Sequence, residues 1–162
     1  MHEKILVVDD ELDMLDLIAY NLRMAHFEVF TAVNGQEALK RARTDGPDLI
    51  VLDLMLPDLD GFSICEILRR LPSTTTTPVL MLTAVAGEIA RCHGLASGAT
   101  CYMTKPFHPH QLVEGIRNIL SARPRPAHEP DPRFYVKAHT LTEQEVGSEG
   151  LSSPRFDHGE TP

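Results

Sequence analysis

Short runs of apolar residues, many β-branched, recur along the chain at 5–8, 27–30, 49–52, 79–82 and, more weakly, 101–103. None alternates cleanly with polar residues, so each predicts a strand covered on both faces. Between them the apolar positions repeat at helical spacing. Leu12, Leu15, Ile18, Ala19 and Leu22 share one face of a first helix after the turn Asp9-Asp10-Glu11. Asn34, an N-cap candidate, precedes a second with Ala38, Leu39 and Ala42 inward. A third opens at Asp60-Gly61, buries Phe62, Cys65 and Leu68, and stops near Pro72. The fourth pattern is the weakest, from about Gly87 to Ala96 with Gly98 closing it. The last begins near Pro109 and carries Leu112, Val113, Ile116, Ile119 and Leu120.

Strand and helix thus alternate five times over 121 residues. That order favours a parallel sheet with helices on both faces. Ligands of such sheets bind beyond the carboxyl ends of the strands. Asp9-Asp10, Asp53 and Thr83 all fall at those ends, so they are expected to meet in space.

After Ser121 the periodicity stops. Residues 122–162 hold six of the twelve prolines among charged and small polar residues. With no sustained apolar face, ordering them would cost entropy that burial does not offset. Residues 1–121 are therefore read as one domain and 122–162 as a disordered tail.

Composition narrows the function classes. An apolar fraction of 43% supports a core, while a net charge of −8 argues against direct binding of nucleic acid. Cys65, Cys92 and Cys101 show no CxxC spacing and cannot all pair, which suits a reducing compartment. No apolar run approaches the length of a membrane span. A soluble, cytoplasmic protein is expected. His108, His110 and Cys92-His93 lack the spacing of a four-ligand metal site.

The candidate chemistry lies in the acids. Three carboxylates at adjacent strand ends, Asp9, Asp10 and Asp53, repel one another unless a cation neutralises them. A site made only of oxygen donors, with room for water and a phosphate oxygen, suits Mg²⁺. Lys105, just past the fifth strand, supplies a fixed positive charge, and Thr83 a hydroxyl. Phosphoryl transfer needs this set, because its catalysis is mostly positioning and charge stabilisation. Taken singly, each element has an ordinary explanation: acids cap helices, Asp, Pro and Gly make turns, and lysines sit on loops. Their joint occurrence at the sheet end is what points to chemistry.

Asp9-Asp10-Glu11, the run from Asp53 through Met55, Pro57 and Asp58 to Gly61, Thr83-Ala84 and Lys105-Pro106-Phe107 together resemble the receiver domains of two-component response regulators, the CheY-like family. The resemblance covers about residues 3–121. It implies an α/β, flavodoxin-like (βα)5 three-layer sandwich with strand order 2-1-3-4-5. It implies that Asp53 accepts a phosphoryl group from the phosphohistidine of a histidine kinase or phosphotransfer protein. The chain would be a switch rather than an enzyme, catalysing only its own phosphorylation and dephosphorylation. By the same likeness Asp10 and Asp53 would ligate Mg²⁺ directly, with the Met55 carbonyl, and Asp9 through water. Thr83 and Lys105 would contact the phosphoryl oxygens, and Lys105-Pro106 would be a cis peptide. Tyr102 would be the aromatic switch, turning inward as Thr83 shifts and so altering the surface of the fourth helix, fifth strand and fifth helix.

The pattern is most similar to receivers of winged-helix transcription factors, with a departure. Those relatives usually place an acidic pair before the aromatic switch and an arginine in the last helix, for charge pairs across a symmetric dimer. Here Thr100-Cys101 and Gly115 stand there, so at most a weak, phosphorylation-dependent homodimer is expected. The output is open at this point among a stand-alone receiver, a truncated receiver of a DNA-binding transcriptional regulator and a phosphorelay intermediate.

Overall fold

The computed structural model describes residues 2–122. Within them, strands β1 (Lys4–Val8), β2 (Glu28–Ala32), β3 (Leu49–Leu52), β4 (Val79–Thr83) and β5 (Cys101–Thr104) alternate with helices α1 (Leu12–Met24), α2 (Gly35–Thr44), α3 (Gly61–Arg70), α4 (Glu88–Ala96) and α5 (Pro109–Ser121). The strands pair in parallel in the order β2-β1-β3-β4-β5. This is the flavodoxin-like sandwich expected from the sequence. Apart from Ala122, the segment read as a tail lies outside the described residues.

Successive side chains of a strand point to opposite faces, and the core divides accordingly. Ile5, Val7, Leu49, Val51, Leu80 and Leu82 pack with Leu15, Ile18 and Leu22 of α1 and Leu112, Ile116 and Leu120 of α5. Leu6, Val8, Ile50, Leu52, Val79 and Met81 face the other way, onto Ala38 and Ala42 of α2 and Ile64, Cys65 and Leu68 of α3.

Three details differ from the sequence reading. Burial on both faces holds for the inner strands, whereas the edge strands β2 and β5 are mostly half-buried. Phe27 is buried but precedes β2, in a turn that His26 makes with a φ of 71°. Leu12 is 63% exposed, because it begins α1 at the rim of the sheet where nothing covers it. The weak fourth pattern does form a helix, but α4 buries only Gly94 and leaves Ile89 exposed.

Local signals set the helix starts. Asn34 Oδ1 accepts from the Glu37 amide at 2.8 Å, and Asp60 Oδ1 from the Ser63 amide at 2.9 Å. Each satisfies an N–H that the helix itself cannot. Gly61 permits the approach of α3 to the end of β3: a Cβ there would lie 2.7 Å from the Asp53 carbonyl oxygen and 2.8 Å from Leu54 Cα. That contact fixes where the loop after Asp53 begins and ends.

Candidate functional site

The hydrogen-bond ladder of the sheet runs directly into the acidic cluster. Val8 is level with Leu52, and the next amide, of Asp53, donates to the Val8 carbonyl at 3.0 Å. The Asp9 amide donates to the Ala32 carbonyl on the other side at 3.2 Å. Asp9 and Asp53 therefore emerge side by side from the two central strands. Asp10 follows at the start of the β1–α1 turn. Thr83 ends β4 opposite Thr104, and the Lys105 amide donates to the Thr83 carbonyl at 2.8 Å.

Lys105 reaches back over the strand ends. Its Nζ lies 2.6 Å from Asp9 Oδ2, 3.2 Å from Asp53 Oδ2 and 3.8 Å from Glu11 Oε1. The pairing happens largely out of water, with Asp9 and Asp53 only 2% and 5% exposed. Burial pushes the Asp9 carboxyl above its ordinary value, although Lys105 and the Glu11 amide pull it down. Burial works to lower the Lys105 pKa, but the two carboxylates outweigh it and hold the ammonium above its usual range. Lys105 therefore stays charged.

The donor set fits a hard divalent cation. Asp9, Asp10 and Asp53 can each present one oxygen so that all three lie within 4.8 Å of one another. Two are buried and Asp10 is exposed, leaving an open side for water and an incoming group. Three carboxylates against one ammonium leave a negative balance that a divalent ion offsets. The Met55 amide donates to Asp53 Oδ1 at 3.3 Å, which folds the backbone of Met55 over that carboxylate, while its side chain points to solvent.

Thr83 is fully buried, and its Oγ1 accepts from the Val85 amide at 3.3 Å. Tyr102 donates its hydroxyl to the Val85 carbonyl, tying β5 to the same loop. Its ring rests against Gly94 of α4, where a Cβ would come within 3.1 Å of the ring. Burial, followed by the Asp53 charge, raises the tyrosine pKa, so the hydroxyl stays a donor. The Lys105–Pro106 peptide is cis, as the resemblance implied.

Comparison with known proteins decides the family. The model of the response regulator receiver domain matches residues 5–117. This chain belongs to the response regulator receiver family.

Other receivers place it further. The alkaline phosphatase synthesis transcriptional regulatory protein PhoP of Bacillus subtilis is 49% identical over 120 residues, 74% of this chain and 49% of that protein. The DNA-binding dual master transcriptional regulator RpaA of Synechocystis is 44% identical over 117 residues, 72% of this chain and 48% of that one. This receiver thus spans about half the length of the curated relatives it matches. Among solved structures, the chemotaxis response regulator CheY4 of Vibrio cholerae superposes with a TM-score of 0.71 at 33% identity, over 74% of this chain and 99% of that one. Receivers are phosphoacceptor switches of two-component systems and generally bind Mg²⁺ in an acidic pocket.

Two contributors escaped the sequence reading. Asp58, in the loop after Asp53, accepts from the Gly35 and Gln36 amides at 2.8 and 2.9 Å. Its carboxyl lies below the ordinary value: burial is the largest single influence and raises it, but the amides of Gly35, Gln36, Asp58 and Leu59 together outweigh that. Arg69 of α3 donates to the carbonyls of Gly98, Thr74, Thr75 and Thr77, tying the turn after α3 to the turn after α4. The Asp58 bonds and the Arg69–Gly98 bond have no local sequence pattern, since they join segments brought together only by the fold. Of the departures seen in sequence, Thr100 has a structural role, whereas nothing steric requires the glycine at 115. Thr100 Oγ1 accepts from the Val79 amide, and a Cβ on Gly115 would meet only the end of Met103.

Proposed function

We propose that Asp53 accepts a phosphoryl group from the phosphohistidine of a histidine kinase or phosphotransfer protein. The observation that supports this most is the meeting of the Asp53 carboxylate with Asp9, Asp10 and the Lys105 ammonium at one sheet end. An Asp53 oxygen attacks phosphorus in line. The P–N bond breaks, and the imidazole leaves with the electron pair and takes a proton from solvent. Asp10, Asp53 and the Met55 carbonyl would hold Mg²⁺, with Asp9 acting through water. Bound there, Mg²⁺ offsets charge on the phosphoryl oxygens. Lys105 neutralises charge from the opposite side, and Thr83 donates its hydroxyl to a phosphoryl oxygen once it releases the Val85 amide. Withdrawal of Thr83 opens space for Tyr102, whose bond to the Val85 carbonyl links it to the same loop. The switch would thereby bias the α4-β5-α5 surface.

The chain so read acts in the cytoplasm, without contacting nucleic acid itself, and passes its signal by protein contact. A second reading is favoured by the transcriptional regulators it resembles, which are about twice the length of the matched region. In that reading it is the receiver of a DNA-binding regulator. With Thr100 bonded to β4 and Gly115 in α5, the charge pairs of the symmetric dimer are missing, so any homodimer is weak.

Transfer from phosphorylated histidine kinases of the same host tests the function. One kinase is expected to label the chain quickly, and no labelling by any of them would contradict the reading.

The domain boundary is part of the same proposal, with 1–121 as the functional unit. Ending the chain at Ser121 is expected to leave the melting temperature and Mg²⁺-dependent phosphorylation unchanged. A large fall in melting temperature on truncation would place part of 122–162 in the domain.

A further inference from the structure

The loop from Leu54 to Asp60 is held at both ends by its own neighbourhood. Leu54 is buried, and its carbonyl accepts from the Gly61 amide at 3.0 Å, while Asp60 caps α3. Between these ends, Leu56 and Leu59 pack partly on the core, and Met55 is exposed. Among the described residues, the middle of the loop is tied to the rest of the fold by the Met55 amide on Asp53 Oδ1 and by Asp58 on α2. Asp58, itself exposed, gives one carboxylate oxygen to the Gly35 amide and the other to the Gln36 amide. These are the first two amides of α2, which no intrahelical carbonyl can satisfy. The helix dipole adds to the attraction. Approach is close enough that a Cβ on Gly35 would lie 3.2 Å from Asp58 Oδ1 and 3.0 Å from Leu59 Cβ. α2 already has a cap of its own, Asn34, on the Glu37 amide. The bidentate bond from Asp58 thus serves the loop as much as the helix.

We infer that Asp58 is a positioning residue for the metal site: by clamping the acceptor loop to α2 it sets the Met55 backbone carbonyl where Mg²⁺ is bound. This rests on the proposed role of the Asp53 pocket. Partners that hold a metal ligand in place without touching the metal typically change its affinity by about ten- to a hundredfold. Because Asp58 is exposed, water can replace it on the α2 amides, and the fold survives its loss.

Calorimetric titration with Mg²⁺ alone, well below the melting temperature, tests this on the full chain. Asp58→Ala is expected to weaken Mg²⁺ binding by about tenfold, and Asp58→Asn, which keeps one oxygen acceptor, by less. Asn34→Ala removes the other α2 cap without touching the loop. It is expected to lower the melting temperature and leave Mg²⁺ affinity unchanged. Wild-type affinity in Asp58→Ala would overturn the inference. So would an equal loss in Asn34→Ala, which would assign the effect to α2 as a whole. If the wild-type chain binds no Mg²⁺, the reading of the pocket fails and this inference with it.

Discussion

Lys105→Met is expected to slow phosphoryl transfer to Asp53 by about 10²–10³-fold, the scale seen when one preorganised stabiliser of a developing charge is lost. Methionine keeps the length and apolar stem and removes the ammonium that sits 2.6 Å from Asp9 and 3.2 Å from Asp53. Among the described residues at the cluster no other cation can take its place: the remaining side chains are acids or the Thr83 hydroxyl. Breaking a buried ion pair by removing one partner usually costs about 3–5 kcal/mol. A smaller loss is expected here, because Asp9 can take up a proton. Its carboxyl titrates above the ordinary 3.8 in the folded protein, so the folded state keeps that proton longer than the unfolded chain does. The Asp9 penalty is therefore absent in strong acid and grows as pH rises through the folded pKa. Without Mg²⁺, the variant should lose more stability at neutral pH than in mild acid. Single-turnover transfer rates and melting curves at two pH values check both parts. A transfer rate equal to wild type would remove Lys105 from the mechanism.

The phosphorylated state is expected to be long-lived, lasting many minutes or more. Hydrolysis needs a water in line with the bond between phosphorus and the Asp53 oxygen. In receivers, polar side chains two residues after the acceptor or two after the switch threonine can orient that water. Here those residues are Met55 and Val85, neither able to hydrogen-bond it. Val85 packs on the core, while Met55 lies at the exposed mouth of the site. A positioned hydrogen bond to the attacking water is worth about 1–3 kcal/mol, roughly ten- to a hundredfold in rate. The double variant Met55→Asn with Val85→Glu should lose phosphate faster by that factor. Wild-type release within seconds, or no acceleration in the variant, would show that these two positions do not govern the lifetime.

What could be read from sequence was what depends on pattern within one element. The runs at 5–8, 49–52 and 79–82 are apolar throughout because β1, β3 and β4 are the inner strands, covered on both faces. Asp9, Asp10 and Asp53 could be grouped because each follows such a run. The apolar run at 27–30 predicts a strand that includes Phe27, which lies before β2, because apolar composition does not distinguish a strand from a buried turn. Leu12 has the spacing of its helix's buried face, but spacing says nothing about whether the sheet extends far enough to cover it. The Asp58 clamp joins residues 23 apart in sequence, and the Arg69 bonds span up to 29. Such bonds exist only after the chain has folded, so the loop's support was invisible while its motif was plain.

The central claim is that Asp53 is the acceptor and that a divalent cation is required. Intact-mass measurement after incubation with a small phosphodonor such as acetyl phosphate tests it most directly. The wild-type chain with Mg²⁺ should gain one phosphoryl group. The same chain with a chelator, and the Asp53→Ala variant with Mg²⁺, should gain none. An adduct of equal yield in Asp53→Ala, or in wild type without a divalent cation, would contradict the account.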